Sequence, residues 1–459
     1  MATATTDPVR LPPGPPWPSI VQGLAVLLRR GAVAQRIERR YGEAALMRLP
    51  ILGKTVVVSD PALLKELFGG GYELLSRPQV LGEMLGPGST FSLNGPEHRE
   101  RRKLLVPPFH GKRMRGYESI VEQEVLRETA PWPEGKEFAT LPSMMRITLN
   151  VILRTVFGAS GSEFDELREL MPWWVPLGSR FTTRPRQFRV DLGPRSPWGR
   201  YCAGRRHYNQ IVARLIAEAR VDPALSARQD ILALLLQARY DDGSPISDGH
   251  IADELLTLLA AGHETTATTL AWAIERIRRH PAVLSRLRAE VDAGGSEFRQ
   301  AVIWEVQRVR PVVVTTGRVA LTRIRLGDWV IPQGYAILAN IVGTHRSERH
   351  YARADTFNPD RFVGNPPDGH SWVPFGGGVH RCIGAAFANM EMSVTLRTLL
   401  RSFDIVATSG ADEPVRSRGI ANAPGRGGRV VVHRRPLGDS ESHDTTRRRG
   451  VAGFTLGAQ

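Results

Sequence analysis

From Ser247 to Pro281 the chain runs without a proline, through Ile251-Ala-Asp-Glu-Leu-Leu-Thr-Leu-Leu-Ala-Ala-Gly-His-Glu-Thr-Thr-Ala-Thr-Thr-Leu-Ala-Trp-Ala-Ile-Glu275. Ser247 is an N-cap residue type and Pro281 a helix stop, so the segment predicts one helix of unusual length. At about 1.5 Å per residue it would span roughly 50 Å, enough to cross a whole domain. Its middle breaks the helix rules. Gly262 is entropically costly there, and Thr265, Thr266, Thr268 and Thr269 are β-branched residues whose hydroxyls can bond the preceding turn. A local distortion that a ligand could use is expected at this point. His263-Glu264 also begins a zinc-protease helix motif, but Ala267 stands where the second His is required, which excludes it.

A second segment, Phe375-Gly-Gly-Gly-Val-His-Arg-Cys382-Ile-Gly384, sets one cysteine among glycines, after an aromatic ring and beside His380 and Arg381. Small residues let a flat cofactor approach the backbone, backbone N–H groups can hydrogen-bond sulfur, and nearby cations favour the thiolate. A zinc site needs several Cys or His ligands at short spacing, and the other of the 2 cysteines, Cys202, lies far off beside Tyr201 with no partner motif. That argues against zinc and against a disulfide framework.

Phe375, Gly378, His380, Cys382 and Gly384 fill the fixed positions of the haem-binding loop of the cytochrome P-450 superfamily, the haem-thiolate monooxygenases, which the segment resembles. The resemblance implies haem b (iron protoporphyrin IX) as cofactor, Cys382 as proximal iron ligand and His380 on a haem propionate. Ala261-Gly262-His-Glu264-Thr265-Thr resembles the family's oxygen-binding stretch. Ala261 and Gly262 would leave room for O2, and Glu264 with Thr265 would relay protons as an acid and alcohol pair. Many soluble bacterial members carry Asp where this chain has Glu264. Glu305-Val-Gln-Arg308, followed by Phe357-Asn-Pro-Asp-Arg361-Phe, resembles the structural triad of Glu305, Arg308 and Arg361 that holds the core beside the loop. His98 and Arg102, four apart on one helical face, and Arg318, in a strand after Pro311, match the family's propionate-binding groups.

With a Pro-rich start, Leu11-Pro-Pro-Gly-Pro-Pro, the likeness covers nearly the whole chain. The implied fold is mainly α with small β-sheets, haem lying between the long central helix and the Cys-loop. The expected division is a Pro-rich segment 1–18, a monooxygenase domain 19–436 and a disordered tail 437–459. Amphipathic helices are read over Met145–Val156 and Tyr208–Arg220, and strands over Thr55–Ser59, Val312–Thr316 and Tyr335–Asn340. The stretch Met171–Cys202, where Trp173, Trp174 and Trp198 alternate with Pro and Arg, suits a mobile lid, a lipid-touching patch or a long irregular connection.

The chain has 459 residues and no cysteine cluster for an iron–sulfur module, which leaves no room for a fused reductase. Electrons are therefore expected from a separate ferredoxin and ferredoxin reductase. The formal net charge of +15 is carried by arginine, with no lysine after Lys136, which suits a GC-rich, actinobacterial genome. No nucleic-acid motif is present, and no nucleic-acid partner is expected. Arg99, Arg101, Lys103, Lys112, Arg113 and Arg115 form a basic cluster suited to an acidic ferredoxin. The apolar run Ile20–Leu28 is too short to span a bilayer, and two unspaced cysteines fit a reducing compartment, so a cytoplasmic location is expected.

The function expected from these motifs is insertion of one oxygen atom from O2 into a lipophilic small molecule. Its walls would be Arg77–Asn94, the lid, Leu258–Thr265, Val312–Thr316 and the turn near Ala421, mostly apolar and suited to a lipid, steroid, terpenoid or aromatic compound. A peroxide-dependent haem peroxygenase and a non-catalytic haem- or nucleic-acid-binding protein are the alternatives. A relay of Glu264 and Thr265 would be superfluous in a peroxygenase.

Overall fold

The computed structural model describes residues 1–436 except 50, 110, 112, 159 and 160; the tail 437–459 and Lys112 lie outside the described residues. The central helix spans Asp248–Arg278, capped by Ser247, whose hydroxyl accepts the His250 N–H at 3.4 Å. It packs most extensively on the helix Leu141–Phe157. Around this pair lie Ser162–Thr182, Pro197–Val221, Arg113–Thr129, Glu297–Val309 and Ala385–Ser402. The main apolar core fills the space between them, with Ile147, Val151, Leu255, Leu259, Leu270 and Ile274 essentially inaccessible to solvent.

A five-stranded sheet stands to one side, in the order Ala44–Leu49, Gly53–Val58, Ala336–Asn340, Thr315–Ala320, Leu75–Ser76. Val56 pairs with Ile337 in parallel, and Ile337 with Arg318 antiparallel, which fixes the strand that carries Arg318. The expected strands at 55–59 and 335–340 match within two residues, whereas the third begins at Thr315 and leaves Val312 in the preceding loop. Both expected amphipathic helices lie inside longer ones.

Two expectations need correction. The central helix is unbroken at Gly262. The glycine serves close packing instead, since a Cβ there would lie 3.2 Å from Ile152 Cδ1, while Thr265 Oγ1 donates to the Ala261 carbonyl at 2.6 Å and Thr269 Oγ1 to that of Thr265 at 2.9 Å. The lid is largely helical, not an irregular connection: Ser162–Thr182 continues through Pro172 and Pro176 and is followed by Pro197–Val221. Packing outweighs the lost backbone bonds. Trp174 is buried, stacks on Tyr201 and donates Nε1–H to the Tyr201 carbonyl at 3.0 Å.

Glu305, Arg308 and Arg361 come together as expected. Arg308 donates Nε to Glu305 Oε2 at 2.7 Å and Nη2 to Oε1 at 2.8 Å, and Arg361 Nε lies 3.4 Å from Oε1. Arg308 also donates to the carbonyls of His345, Ala354 and Thr356, so one helix grips the chain leading to the Cys-loop. Breaking a buried pair strands a charge. Glu305→Ala should lower stability by about 3–5 kcal/mol, whereas Lys103→Ala, which removes an exposed pair with Asp241, should cost no more than about 1 kcal/mol. Denaturant midpoints at unchanged slope measure both.

Candidate functional site

The Cys-loop is shaped by close backbone approaches. Gly378 has φ 66°, and a Cβ there would come within 2.1 Å of the Phe68 carbonyl oxygen. No side chain fits. The Cys382 N–H donates to the Phe375 carbonyl at 3.0 Å, closing the loop just before the helix Ala385–Ser402. Cys382 is open to a water-sized sphere although its thiol is desolvated by the protein around it, as for a group on the wall of an internal space. Burial pushes the free thiol's pKa up, while the Gly384 N–H, Arg381, Arg102 and Arg77 pull it down. Arg381 thus favours the thiolate as expected, and burial opposes it.

The middle of the central helix is open in the same way. Ala261 is exposed and Gly262 and Thr265 are half-buried, whereas the helix from Thr266 to Arg278 is buried. The central helix packs on the helix Ala385–Ser402 that follows Cys382. Glu264 is buried beneath the patch; burial pushes its carboxyl up, and Arg418, whose Nε donates to Oε1 at 3.2 Å, pulls it back. Glu264 and Thr265 are not hydrogen-bonded to each other. Arg418 escaped the sequence analysis because it lies 154 residues away, in the turn between the strands Val415–Ser417 and Asn422–Pro424. The strand after that turn meets the Val312 loop through the Asn422 N–H, which donates to the Val312 carbonyl at 2.9 Å.

Beside the Cys-loop the structure gathers His98, Arg102, Arg318 and His380, and adds two residues that the motifs did not single out, Tyr72 and Arg77. His98 Nε2 lies 3.3 Å from His380 Nδ1, and His98 Nδ1 lies 2.9 Å from the Tyr72 hydroxyl. Arg318 donates to the Gly377 carbonyl at 2.8 Å and Arg77 to that of His380 at 3.0 Å. Among the described residues none of Arg77, Arg102 and Arg318 has a carboxylate within ion-pair distance. Burial pushes the Arg77 guanidinium down to about 10 and that of Arg318 to about 9. Burial and these arginines also hold His98 at about 3 and His380 at about 2, so His380 is neutral and not the cation expected beside the thiol. His380 Nε2 is buried without a partner. A concentration of buried donors with no acid to neutralise it fits a dicarboxylate such as the two propionates of haem b, above a lone thiol suited to iron.

A cytochrome P-450 family model matches residues 12–427. This chain belongs to the cytochrome P-450 family. It is similar to a Mycobacterium tuberculosis protein named cytochrome P-450 138, 52% identical over 95% of this chain and 99% of the relative. Cytochrome P-450 137 of the same species is 38% identical over 91% of this chain and 90% of its own length. The fold is that of a retinoic-acid-bound cyanobacterial CYP120A1, with TM-score 0.82, 24% identity and coverage of 94% of this chain and 100% of that one. The protein is accordingly a haem-thiolate monooxygenase that binds haem b. No helix among the described residues is long and apolar enough to cross a membrane.

The loop expected to face substrate is tied to the start of the central helix. The Gly88 N–H donates to Asp253 at 2.8 Å and the Thr90 N–H to Glu254 at 2.9 Å, while Arg101 donates to the Gly88 carbonyl at 2.7 Å and lies 3.4 Å from Glu254. Arg101 is fully buried and is no part of a docking surface, which corrects the basic cluster. In that cluster Arg99, Lys103 and Arg113 contact Glu73, Asp241 and Gln229, and Arg115 is exposed. Burial raises the Glu254 pKa from 4.5 to about 7, with Thr90 and Arg101 opposing. A carboxyl whose folded pKa is raised adds stability at low pH and loses it as pH rises through the folded value. Relative to Glu254→Gln, the wild type should therefore lose stability between pH 4.5 and about 7. Parallel denaturation curves across that range would refute this if the difference stayed flat.

Proposed function

We propose that this cytochrome P-450 inserts one atom of O2 into a lipophilic small molecule, using electrons from a separate ferredoxin and ferredoxin reductase. The single observation that carries the site assignment is the lone thiol of Cys382 beside a cationic cluster without carboxylates. In this reading Cys382 holds the iron, and Arg77, Arg102, Arg318, His98 and His380 receive the propionates; a neutral imidazole gains a proton or donates N–H as the carboxylate arrives. Phe375, Gly378 and Gly384 shape the loop around the cofactor.

Haem, when bound, supplies O2 activation, and thiolate donation favours O–O cleavage. The chain's own residues do the rest. Ala261 and Gly262 present no bulky side chain at the open patch. Burial favours a protonated Glu264, held in place by Arg418, and Thr265 offers its hydroxyl one residue further along.

The apolar segments around Val312, Val314 and Ala421 support a lipophilic substrate. A surface cleft of about 380 Å³ lies where the Arg77–Asn94 loop meets the lid, whose Arg189 pairs with Glu83 at 2.6 Å, and suits entry from that side. Exposed Phe188, Val190 and Leu192 in the same lid support contact with lipid. A cytoplasmic site of action remains part of this reading, on the two unpaired cysteines.

Cys382→Ser should abolish the thiolate-type spectrum of the reduced carbon monoxide complex, and Cys202→Ser should leave it intact; retention in both variants would remove Cys382 from the role of ligand. Thr265→Ala should keep substrate-induced spectral changes yet release more peroxide per electron consumed. Unchanged coupling between electrons and product would take Thr265 out of the relay.

A further inference from the structure

Buried arginines in this protein are of two kinds. Arg101, Arg276, Arg278 and Arg308 each have a carboxylate within ion-pair distance, Glu254 at 3.4 Å, Glu275 at 2.5 Å, Glu137 at 3.6 Å and Glu305 at 2.7 Å. Arg318 and Arg299 have none among the described residues. For Arg318 the missing acid is supplied by the cofactor in the reading above. Arg299 is only 4% exposed and lies elsewhere, on the helix Glu297–Val309. Its guanidinium donates to Ser393 Oγ at 2.9 Å and to the Gly295 carbonyl at 3.0 Å, both neutral. A buried cation with only neutral partners is costly unless an anion reaches it.

The surroundings supply room and further donors. Arg299 opens on a cleft of about 530 Å³ against the helix Ala385–Ser402, whose Ser393, Arg397 and Arg401, spaced by four, share the facing side. Arg397 is within ion-pair distance of Glu118, itself a wall of the cleft, at 4.0 Å and of Glu122 at 3.7 Å, but neither contact is short enough for a hydrogen bond. Its Nε and the amide Nε2 of Gln300, another wall of the cleft, are buried with no acceptor. Glu290 accepts the backbone N–H groups of Phe298 and Arg299 at 2.5 and 2.9 Å and is not paired with the guanidinium. Burial lowers the Arg299 pKa, the Glu290 carboxylate nearby opposes this, and Arg397 and Arg401 add to the lowering, so Glu290 offsets only part of the positive charge gathered here.

We propose that this cleft is a binding site for an oxyanion, a carboxylate or phosphate group held by Arg299, Arg397, Arg401 and Gln300. Guanidinium forks suit either group. The oxyanion has two sources. One is free phosphate; the other is the chain's own Asp439, Glu441 and Asp444. Arg435 is fixed at the end of the helix that carries Arg401, its N–H donating to the Ser402 carbonyl at 2.9 Å and its side chain to that of Leu400 at 2.7 Å. Three residues beyond Pro436 reach at most about 10 Å. None of this depends on the substrate or on the iron ligand.

The test is calorimetric titration of the full-length haem-loaded protein with inorganic phosphate at constant ionic strength. It includes Arg397→Gln, Arg401→Gln and the triple variant Asp439→Asn, Glu441→Gln, Asp444→Asn. Arg299 is left in place because its removal would also break the Ser393 and Gly295 contacts. Saturable binding to wild type, weakened about ten-fold by each arginine variant through loss of one charge-assisted bond, establishes a site for a free oxyanion. Binding that emerges only in the triple variant, and is lost again when Arg401→Gln is added, assigns the cleft to the chain's own carboxylates. Saturation in neither background, or binding unchanged in both arginine variants, overturns the proposal.

Discussion

Uncompensated positive charge beside the Cys-loop is the constraint on which the site depends. Arg77, Arg102 and Arg318 come from three separated segments, yet each stands near the loop with no carboxylate partner among the described residues. Like charges brought together in a partly buried space repel, and the depressed pKa values of Arg77, Arg318, His98 and His380 record that repulsion together with burial. The rest of the structure holds these groups in place: the sheet carries Arg318, the helix Gly95–Leu105 carries His98 and Arg102, and carbonyls of the loop accept from Arg77 and Arg318. Such an arrangement is stable only if a dianionic group neutralises it, and haem b has the two carboxylates required.

The same principle governs the rest of the interior. Arg308 is enclosed by Glu305 and three carbonyls and so can be buried without a cofactor. Arg101 does likewise for the substrate loop, through Glu254, Gly88 and Tyr240. Neutralised arginines thus build the scaffold, and unneutralised ones mark where something else belongs. Glu264 sits between these cases, because its partner Arg418 is itself partly exposed.

Motifs with fixed spacing were legible because each lies within a few residues of chain. The central helix begins and ends where Ser247 and Pro281 require, and the Glu305, Arg308 and Arg361 contacts follow from one helical turn and one later arginine. What escaped depends on distant contacts. Arg101 reads as part of a charge run, yet Tyr240 and Glu254, 139 and 153 residues away, bury it. Arg77 meets the loop carbonyl of His380 across 303 residues. Local rules also stop the helix Ser162–Thr182 at Pro172, although Trp174, Tyr201 and Tyr208 pack well enough to carry it through. The distortion expected at Gly262 is missing because the glycine answers to Ile152 on a neighbouring helix.

The central claim is that carboxylates of the cofactor complete the cationic cluster. Its most direct test compares binding of haem b and of its propionate dimethyl ester to the apoprotein, followed by the Soret band at equal ionic strength. The free acid should bind far more tightly, and Arg318→Ala should narrow the gap; equal affinity for acid and ester in the wild type would contradict the account.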